Sequence, residues 1–156
     1  MGYSRYWSLV KFCRLGRQVR VQSASLWGHI TVANLMKSCL VVDDSRIVRR
    51  VARKILEELG FECIEAADGE EALTVCREKL PDVILLDWNM PVMTGIDFLH
   101  ELQKIGSKDL PKVVFCTTES DLENISEALE AGASEYMFKP FDSEILQGKF
   151  RQIGLI

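Results

Sequence analysis

Five short apolar segments recur along most of the chain, and an amphipathic segment follows each of them. This alternation is typical of strand-helix units around a parallel sheet. Parallel strands are usually covered by helices on both faces, and near-continuous apolar strands fit that arrangement. The sequence therefore predicts five strands and five helices in the order (βα)5. The predicted strands are Cys39–Val42, Cys63–Ala66, Val83–Leu86, Val113–Cys116 and Tyr136–Phe138.

The intervening segments contain residues that typically begin and end helices. Ser45 can cap a first helix and Gly60 can end it. The predicted inward side of this helix is Val48, Val51, Ala52, Ile55 and Leu59, which recur at helical spacing. The other predicted boundaries are capping pairs at Asp68 with Glu71 and at Ser120 with Glu123, a third helix over Gly95–Ile105, the end of the fourth at Gly132 and the start of the fifth at Asp142.

Connections between parallel strands are almost always right-handed, which restricts the possible topologies. We therefore expect a flavodoxin-like, doubly wound, five-stranded parallel sheet. The expected strand order is 2-1-3-4-5, the order known for flavodoxin-like sheets.

Length and composition indicate one compact domain. The 156 residues can form one core and are few for two. No apolar run approaches the roughly 20 residues of a membrane-spanning helix, so we expect no membrane span and a cytoplasmic location. The cysteines include no C-x-x-C pair and follow no secretory signal, which argues against disulfides and zinc. We expect them to be reduced core residues: Cys13, Cys39, Cys63, Cys76 and Cys116.

Residues 1–35 differ in character from the rest of the chain. Of the 19 basic residues, six lie within the first 42 residues, whereas all 23 acidic residues follow them. The segment has no steady period of 2 or 3.6 residues, so it does not predict a fold. We interpret it as a basic N-terminal extension, disordered or upstream of a natural start at Met36. An organellar transit or membrane-surface segment and a partner-binding arm are the alternatives. The domain is predicted to cover residues 36–156.

Acidic and polar residues follow four of the predicted strands. In open α/β sheets, functional residues lie in the crevice beyond the carboxyl ends of the strands. The side chains placed there should therefore lie close together. They are Asp43 and Asp44 after the first strand, Asp87 after the third, Thr117 and Thr118 after the fourth, and Lys139 and Pro140 after the fifth.

Three carboxylates in one crevice repel one another unless a cation compensates them. Oxygen ligands without histidine or thiolate favour a hard ion, and Mg²⁺ suits a shallow, open site. With Mg²⁺ and Lys139 the formal charge is balanced, so a phosphoryl group on Asp87 would leave about one negative charge in excess. An aspartate can act as a phosphoryl nucleophile when charge and position are controlled. Thr117 and Lys139 would donate to the phosphoryl oxygens.

Each of these residues also has an ordinary structural explanation when it is taken alone. Asp43 or Asp44 can begin a turn or a helix, and Asp87 can end a strand. Lys139 before a proline can end a strand, and Thr117 is common within one. Four complementary groups at four strand ends nevertheless favour a functional site over coincidence.

Four motifs resemble the receiver domain of two-component response regulators, and the resemblance extends over about residues 37–152. The segment from Asp87 to Gly95 is particularly similar to chemotaxis-type receivers. The motifs are Val41-Val42-Asp43-Asp44-Ser45, Asp87-Trp88-Asn89-Met90-Pro91-Val92-Met93-Thr94-Gly95, Thr117-Thr118-Glu119 and Lys139-Pro140-Phe141.

The resemblance implies that Asp87 is phosphorylated by a phosphohistidine donor, either a histidine kinase or a histidine phosphotransferase. It implies that Asp44 and Asp87 are Mg²⁺ ligands together with the backbone carbonyl of Asn89. Asp43 would hold a metal-bound water, and Lys139 would bind the phosphoryl group.

The resemblance also implies a switch. Thr117 would be the switch hydroxyl, the bond before Pro140 would be cis, and Tyr136 would be a rotameric switch. Its movement would change the surface formed by the fourth helix, fifth strand and fifth helix, where a downstream protein would bind. The plain alternative for Tyr136 is a packed strand aromatic. Ile47 is either a docking contact for the phosphodonor or an exposed apolar residue without a role.

Few residues follow the fifth helix, so we expect a stand-alone receiver that signals through protein contacts and does not bind nucleic acid. It would catalyse only its own phosphorylation and dephosphorylation, within two-component signalling or a phosphorelay. One alternative is an aspartyl-phosphate hydrolase, but such enzymes usually have a second aspartate where this chain has Asn89. The other is a phosphate-independent adaptor, which would have no need for three mutually repelling carboxylates.

Overall fold

The computed structural model describes residues 36–118 and 125–156 of the chain. In these ranges, strands and helices alternate throughout. The elements are β1 (Ser38–Val42), α1 (Arg46–Glu58), β2 (Glu62–Ala66), α2 (Gly69–Glu78), β3 (Val83–Asp87), α3 (Gly95–Lys104), β4 (Lys112–Thr117), α4 (Ile125–Glu130), β5 (Glu135–Phe138) and α5 (Ser143–Gln152).

The strands form one parallel sheet in the order β2-β1-β3-β4-β5. The predicted flavodoxin-like, doubly wound fold is therefore confirmed. Strands β1 and β3 are neighbours, with Val42 beside Leu86, so the residues that follow them lie side by side. Asp87 pairs with Cys116 of β4, and Thr117 pairs with Phe138 of β5. This register brings four strand ends to one edge of the sheet.

The core has two layers because successive strand side chains point to opposite faces of the sheet. One layer packs residues such as Leu40, Ile84 and Phe115 against α2, α3 and α4. The other packs Val41 and Leu85 against α1 and α5. All five residues of β1 and of β3 are buried, as expected for central strands covered on both sides.

Side-chain caps determine where several helices begin. Ser45 caps α1 and Asp142 caps α5, and each accepts a backbone N–H three residues ahead. Asp68 caps α2 by accepting the N–H of Glu71, whose carboxylate in turn accepts the N–H of Ala67. This reciprocal pair matches the predicted capping box. Thr94 caps α3 by accepting the N–H of Asp97, and its hydroxyl donates to the Asp97 carboxylate.

The inward side of α1 differs from its prediction at two positions. Val51 was assigned to this side, but it is 47% exposed. Leu56 was omitted, yet it is completely buried. Ala52, Ile55 and Leu56 are the buried residues of α1, so the covered stripe is rotated toward them and away from Val51.

Some sequence predictions lie outside the described residues. These are the interpretation of residues 1–35, the assignment of Cys13 to the core, the capping pair at Ser120 and Glu123, and Glu119 of the third motif. Among the described cysteines, Cys39, Cys63, Cys76 and Cys116 are free thiols, and only Cys63 is partly exposed. No described helix combines the length and the hydropathy needed to cross a membrane.

Candidate functional site

Three carboxylates converge at the carboxyl edge of the sheet. Asp43 follows β1 directly, and Asp87 is the last residue of β3. One oxygen from each of Asp43, Asp44 and Asp87 lies within 4.8 Å of the others. Asp43 and Asp87 are only 2% and 8% exposed, whereas Asp44 is exposed at the mouth of the cluster. The predicted acidic pocket is therefore assembled from two neighbouring strands.

Lys139 lies between the two buried carboxylates. Its Nζ is 2.6 Å from Asp43 Oδ2 and 2.7 Å from Asp87 Oδ1. The lysine is positioned from β4, because its backbone N–H donates to the carbonyl of Thr117 at 2.7 Å. The bond between Lys139 and Pro140 is cis. One ammonium group thus partly neutralises two buried acids.

Burial and pairing act in opposite directions on these charges. Burial raises the pKa of Asp87, and the Lys139 ammonium offsets only part of that shift. Burial alone would lower the pKa of Lys139, but its hydrogen bonds to Asp43 and Asp87 and the attraction of their charges together outweigh burial, so its pKa is raised. Lys139 is therefore held in its charged form, while the charge on Asp87 remains costly.

The loop between β1 and α1 is held by several hydrogen bonds. Asp43 Oδ1 accepts the N–H of Ser45 at 2.8 Å, which ties the carboxylate to its own loop. Arg49 donates from Nη1 to the backbone carbonyls of Asp43 and Asp44, at 2.6 and 3.2 Å. Arg49 was not among the predicted site residues. Its position four residues after the Ser45 cap is the only sequence signal that places it over this loop.

The loop between β3 and α3 packs closely against the end of β3. A Cβ atom on Gly95 would lie 2.4 Å from the carbonyl oxygen of Asp87 and 2.8 Å from the Phe115 ring, so only glycine fits. The N–H of Gly95 donates to the carbonyl of Trp88 at 3.0 Å. Trp88 itself packs on Phe115, with ring centroids 5.2 Å apart. Asn89 is exposed in this loop, two residues after Asp87.

The two predicted switch residues lie on neighbouring strands. Thr117 is 3% exposed at the end of β4, and its hydroxyl donates to the carbonyl of Thr118 at 3.3 Å. Tyr136 is half-buried on β5, where its ring makes an edge contact with Phe138. Lys149 Nζ lies 4.9 Å above the Tyr136 ring and 3.3 Å from Glu135. Tyr136 therefore links the sheet to α5.

The donor set of the cluster fits a hard divalent ion. Carboxylate oxygens are the ligands preferred by Mg²⁺, which binds them at about 2.0–2.1 Å and keeps several waters. Two oxygens on opposite sides of such an ion lie about 4.2 Å apart, and the oxygens of these carboxylates, all within 4.8 Å of one another, allow that spacing. No thiol or imidazole belongs to the cluster. The three aspartates could therefore hold a metal ion.

Comparison with known proteins shows the family of the chain and agrees with its fold. Residues 39–151 match the response regulator receiver domain family. The chain is 40% identical to the chemotaxis protein CheY of Pseudomonas aeruginosa over 116 residues, which cover 73% of this chain and 93% of that protein. It is 37% identical over 117 residues to the probable transcriptional regulator ycf27 of Cyanophora paradoxa, covering 75% of this chain and 48% of that protein.

A solved structure shows the same architecture. The chemotaxis protein CheY4 of Vibrio cholerae superimposes with a TM-score of 0.71 at 35% identity, over 76% of this chain and 98% of that one. This chain therefore belongs to the response regulator receiver domain family of two-component systems. Phosphoryl acceptance is the general function of that family. The chain spans about half the length of the ycf27 proteins that it matches.

Proposed function

We propose that this chain accepts a phosphoryl group on Asp87 from a phosphohistidine donor, with Mg²⁺, and thereby changes its protein contacts. The observation that carries the proposal is the ammonium of Lys139, which lies 2.7 Å from Asp87 and 2.6 Å from Asp43. It keeps two buried carboxylates together beside an exposed third one, Asp44. Lys139 supplies one positive charge of the balance expected from the sequence, and Mg²⁺ would supply the other two.

In the proposed transfer, an oxygen of the Asp87 carboxylate attacks the phosphorus of the donor. A phosphorus–oxygen bond forms while the phosphorus–nitrogen bond breaks, and the imidazole nitrogen keeps the electron pair and takes a proton from water. Mg²⁺ would be held by Asp44, Asp87 and the Asn89 carbonyl, with Asp43 holding a metal-bound water. When bound, it would supply positive charge beside the phosphoryl oxygens.

Lys139 and Thr117 would bind the transferred group. Lys139 already points at Asp87, so its cation can donate to a phosphoryl oxygen without a large rearrangement. Thr117 is buried at the end of the neighbouring strand, where a turn of its hydroxyl toward the phosphoryl group would replace its contact with the Thr118 carbonyl. Both donations would be charge-assisted hydrogen bonds.

Tyr136 would transmit the effect of phosphorylation from the site to the protein surface. Its ring lies on β5 and contacts Lys149 of α5, so a new position of the ring would alter the face formed by α4, β5 and α5. A downstream protein would recognise that face.

We propose a stand-alone receiver because the match to the Pseudomonas CheY covers 93% of that protein. Free cysteines fit the reducing conditions of a cytoplasmic location.

The test is to incubate the chain with acetyl phosphate and Mg²⁺ and to measure its intact mass. The wild type should gain one phosphoryl group, and Asp87→Asn should gain none. Asp109→Asn is the matched control, because Asp109 is exposed in the loop between α3 and β4. It should be labelled like the wild type. Equal labelling of Asp87→Asn, or an unlabelled wild type with excess donor, would refute the proposal.

A further inference from the structure

The guanidinium of Arg49 connects α1 to the backbone that carries Asp44. Its Nη1 donates to two successive carbonyls, those of Asp43 and Asp44, at 2.6 and 3.2 Å. Its Nε donates to Glu65 Oε2 on β2 at 3.2 Å. The side chain is only 14% exposed, and its contacts with the Asp43 carbonyl and Glu65 are partly buried, whereas the contact with the Asp44 carbonyl is exposed. An arginine can make them together because its donors form a rigid planar fork.

Glu65 fixes the orientation of this fork. It also accepts from Nε of Arg53, one turn further along α1, at 2.5 Å. The hydrogen bonds from both arginines lower the pKa of Glu65, with Arg53 as the larger cause. Glu65 therefore stays ionised and holds two arginines at once. Of these two, only Arg49 reaches the loop of the acidic cluster.

The two carbonyls that Arg49 holds belong to the peptide groups on either side of the Asp44 Cα atom. Each peptide group is planar, so fixing both carbonyls fixes the backbone dihedrals of Asp44 and the direction of its Cβ atom. Asp44 is exposed, and burial does not orient its carboxylate. The hydrogen bonds to Arg49 therefore fix the direction in which the Asp44 side chain leaves the backbone.

We propose that Arg49, held by Glu65, is a positioning residue that aims the Asp44 carboxylate at the metal. The inference rests on the proposed function, because it concerns the same Mg²⁺ site. Residues that orient metal ligands typically affect metal affinity by about 10–100-fold when they are replaced. Within the loop of the acidic cluster, the contacts of Arg49 are with the backbone carbonyls of Asp43 and Asp44, so its replacement removes no ligand.

The direction in which Mg²⁺ affinity changes distinguishes a positioning role of Arg49 from a purely electrostatic one. Arg49 is a cation beside a site that binds a cation, so the loss of its charge alone would strengthen Mg²⁺ binding. Loss of positioning would weaken it. Arg53 provides the matched control, because Arg53→Gln removes the same charge and a contact with the same Glu65 but no contact with the loop.

The experiment titrates Mg²⁺ into the full chain and follows backbone amide shifts by NMR for the wild type, Arg49→Gln, Arg49→Lys and Arg53→Gln. We expect Kd to rise about 10-fold in Arg49→Gln and to change less than about 2-fold in Arg53→Gln. Arg49→Lys keeps the charge but not the fork, so its Kd should also rise. It serves as the second variant if Arg49→Gln does not fold.

A second readout is independent of the metal. The N–H of Ser45, which bonds Asp43 Oδ1, should exchange with solvent faster in metal-free Arg49→Gln than in Arg53→Gln. Unchanged or tighter Mg²⁺ binding in Arg49→Gln, or equal weakening in both variants, would overturn the positioning role while leaving the proposed function intact. A wild type that does not bind Mg²⁺ would overturn both.

Discussion

Replacing Lys139 with methionine should destabilise the metal-free protein, because it leaves two buried carboxylates without their cation. The Lys139 side chain is 17% exposed and pairs with Asp43 and Asp87 at 2.6 and 2.7 Å. Breaking a fully buried ion pair costs about 3–5 kcal/mol. Since the crevice is open on the Asp44 side, we expect a loss of about 2–3 kcal/mol at neutral pH. This corresponds to a Tm lower by roughly 6–12 °C for a domain of this size.

The loss of stability in Lys139→Met should depend on pH. Burial already raises the pKa of Asp87, and removal of Lys139 would raise it further. A carboxyl group whose pKa is higher in the folded than in the unfolded protein is fully destabilising above the folded pKa, and the penalty shrinks as the pH falls through the folded pKa and vanishes below the unfolded pKa. The difference in stability between Lys139→Met and the wild type should therefore shrink on acidification from neutral pH toward the ordinary range of carboxyl groups.

The assay is urea unfolding in EDTA over a range of pH, repeated with excess Mg²⁺ at neutral pH. Mg²⁺ should stabilise Lys139→Met more than the wild type, because the loss of the lysine cation makes the site more negative. Lys149→Met is the matched control, since it removes one partly exposed ion pair with Glu135 and the contact of its ammonium with the Tyr136 ring. It should lose about 0.5–1 kcal/mol and show no added response to Mg²⁺. A Lys139→Met variant as stable as the wild type, or a deficit that acid does not reduce, would refute this electrostatic account.

Two further predictions concern the backbone at the site and the switch. Gly95→Ala should lower stability by about 1–3 kcal/mol and slow phosphorylation about 10-fold or more, since its Cβ atom would displace the Asp87 backbone. Gly148→Ala in α5 is the control, because a Cβ atom there would meet nothing within 4 Å; it should stabilise the protein by about 0.5–1 kcal/mol. Urea unfolding measures the stability of both variants, and acetyl phosphate kinetics measure their phosphorylation. Stabilisation by Gly95→Ala, or destabilisation by Gly148→Ala, would contradict this prediction. Thr117→Ala should still be phosphorylated, but the NMR signals of the Tyr136 ring should no longer respond. A wild-type response in that variant would exclude Thr117 as the switch hydroxyl.

The sheet could be predicted because its strands carry a strong signal. Val83–Asp87 is apolar up to its final residue and buried throughout, so both its type and the place of Asp87 follow from the sequence. The rule for carboxyl ends then placed Asp87, Asp43 and Lys139 at one edge of the sheet without any coordinates. The same rule does not predict that Lys139 Nζ lies so close to both Asp43 and Asp87. The direction of the Lys139 side chain depends on the register of β4 and β5.

Other features depended on packing that the sequence does not display. Val51 fits the helical period of α1 but points outward, because α1 covers the sheet with the stripe formed by Ala52, Ile55 and Leu56. Arg49 lies on a helix with several basic residues, and composition does not distinguish the one that reaches the Asp43 and Asp44 carbonyls. Arg49 is held over these carbonyls by Glu65, which is distant in sequence and lies on β2 beside α1.

The most direct test of the account is to locate the phosphoryl group on the chain. After labelling with acetyl phosphate and Mg²⁺, borohydride reduces an acyl phosphate to an alcohol, so a phosphorylated aspartate is read as homoserine by peptide mass spectrometry. We predict homoserine at position 87 and at no other aspartate, and none when EDTA replaces Mg²⁺. Homoserine at position 43 or 44 with none at 87, or labelling that is unaffected by EDTA, would contradict the account.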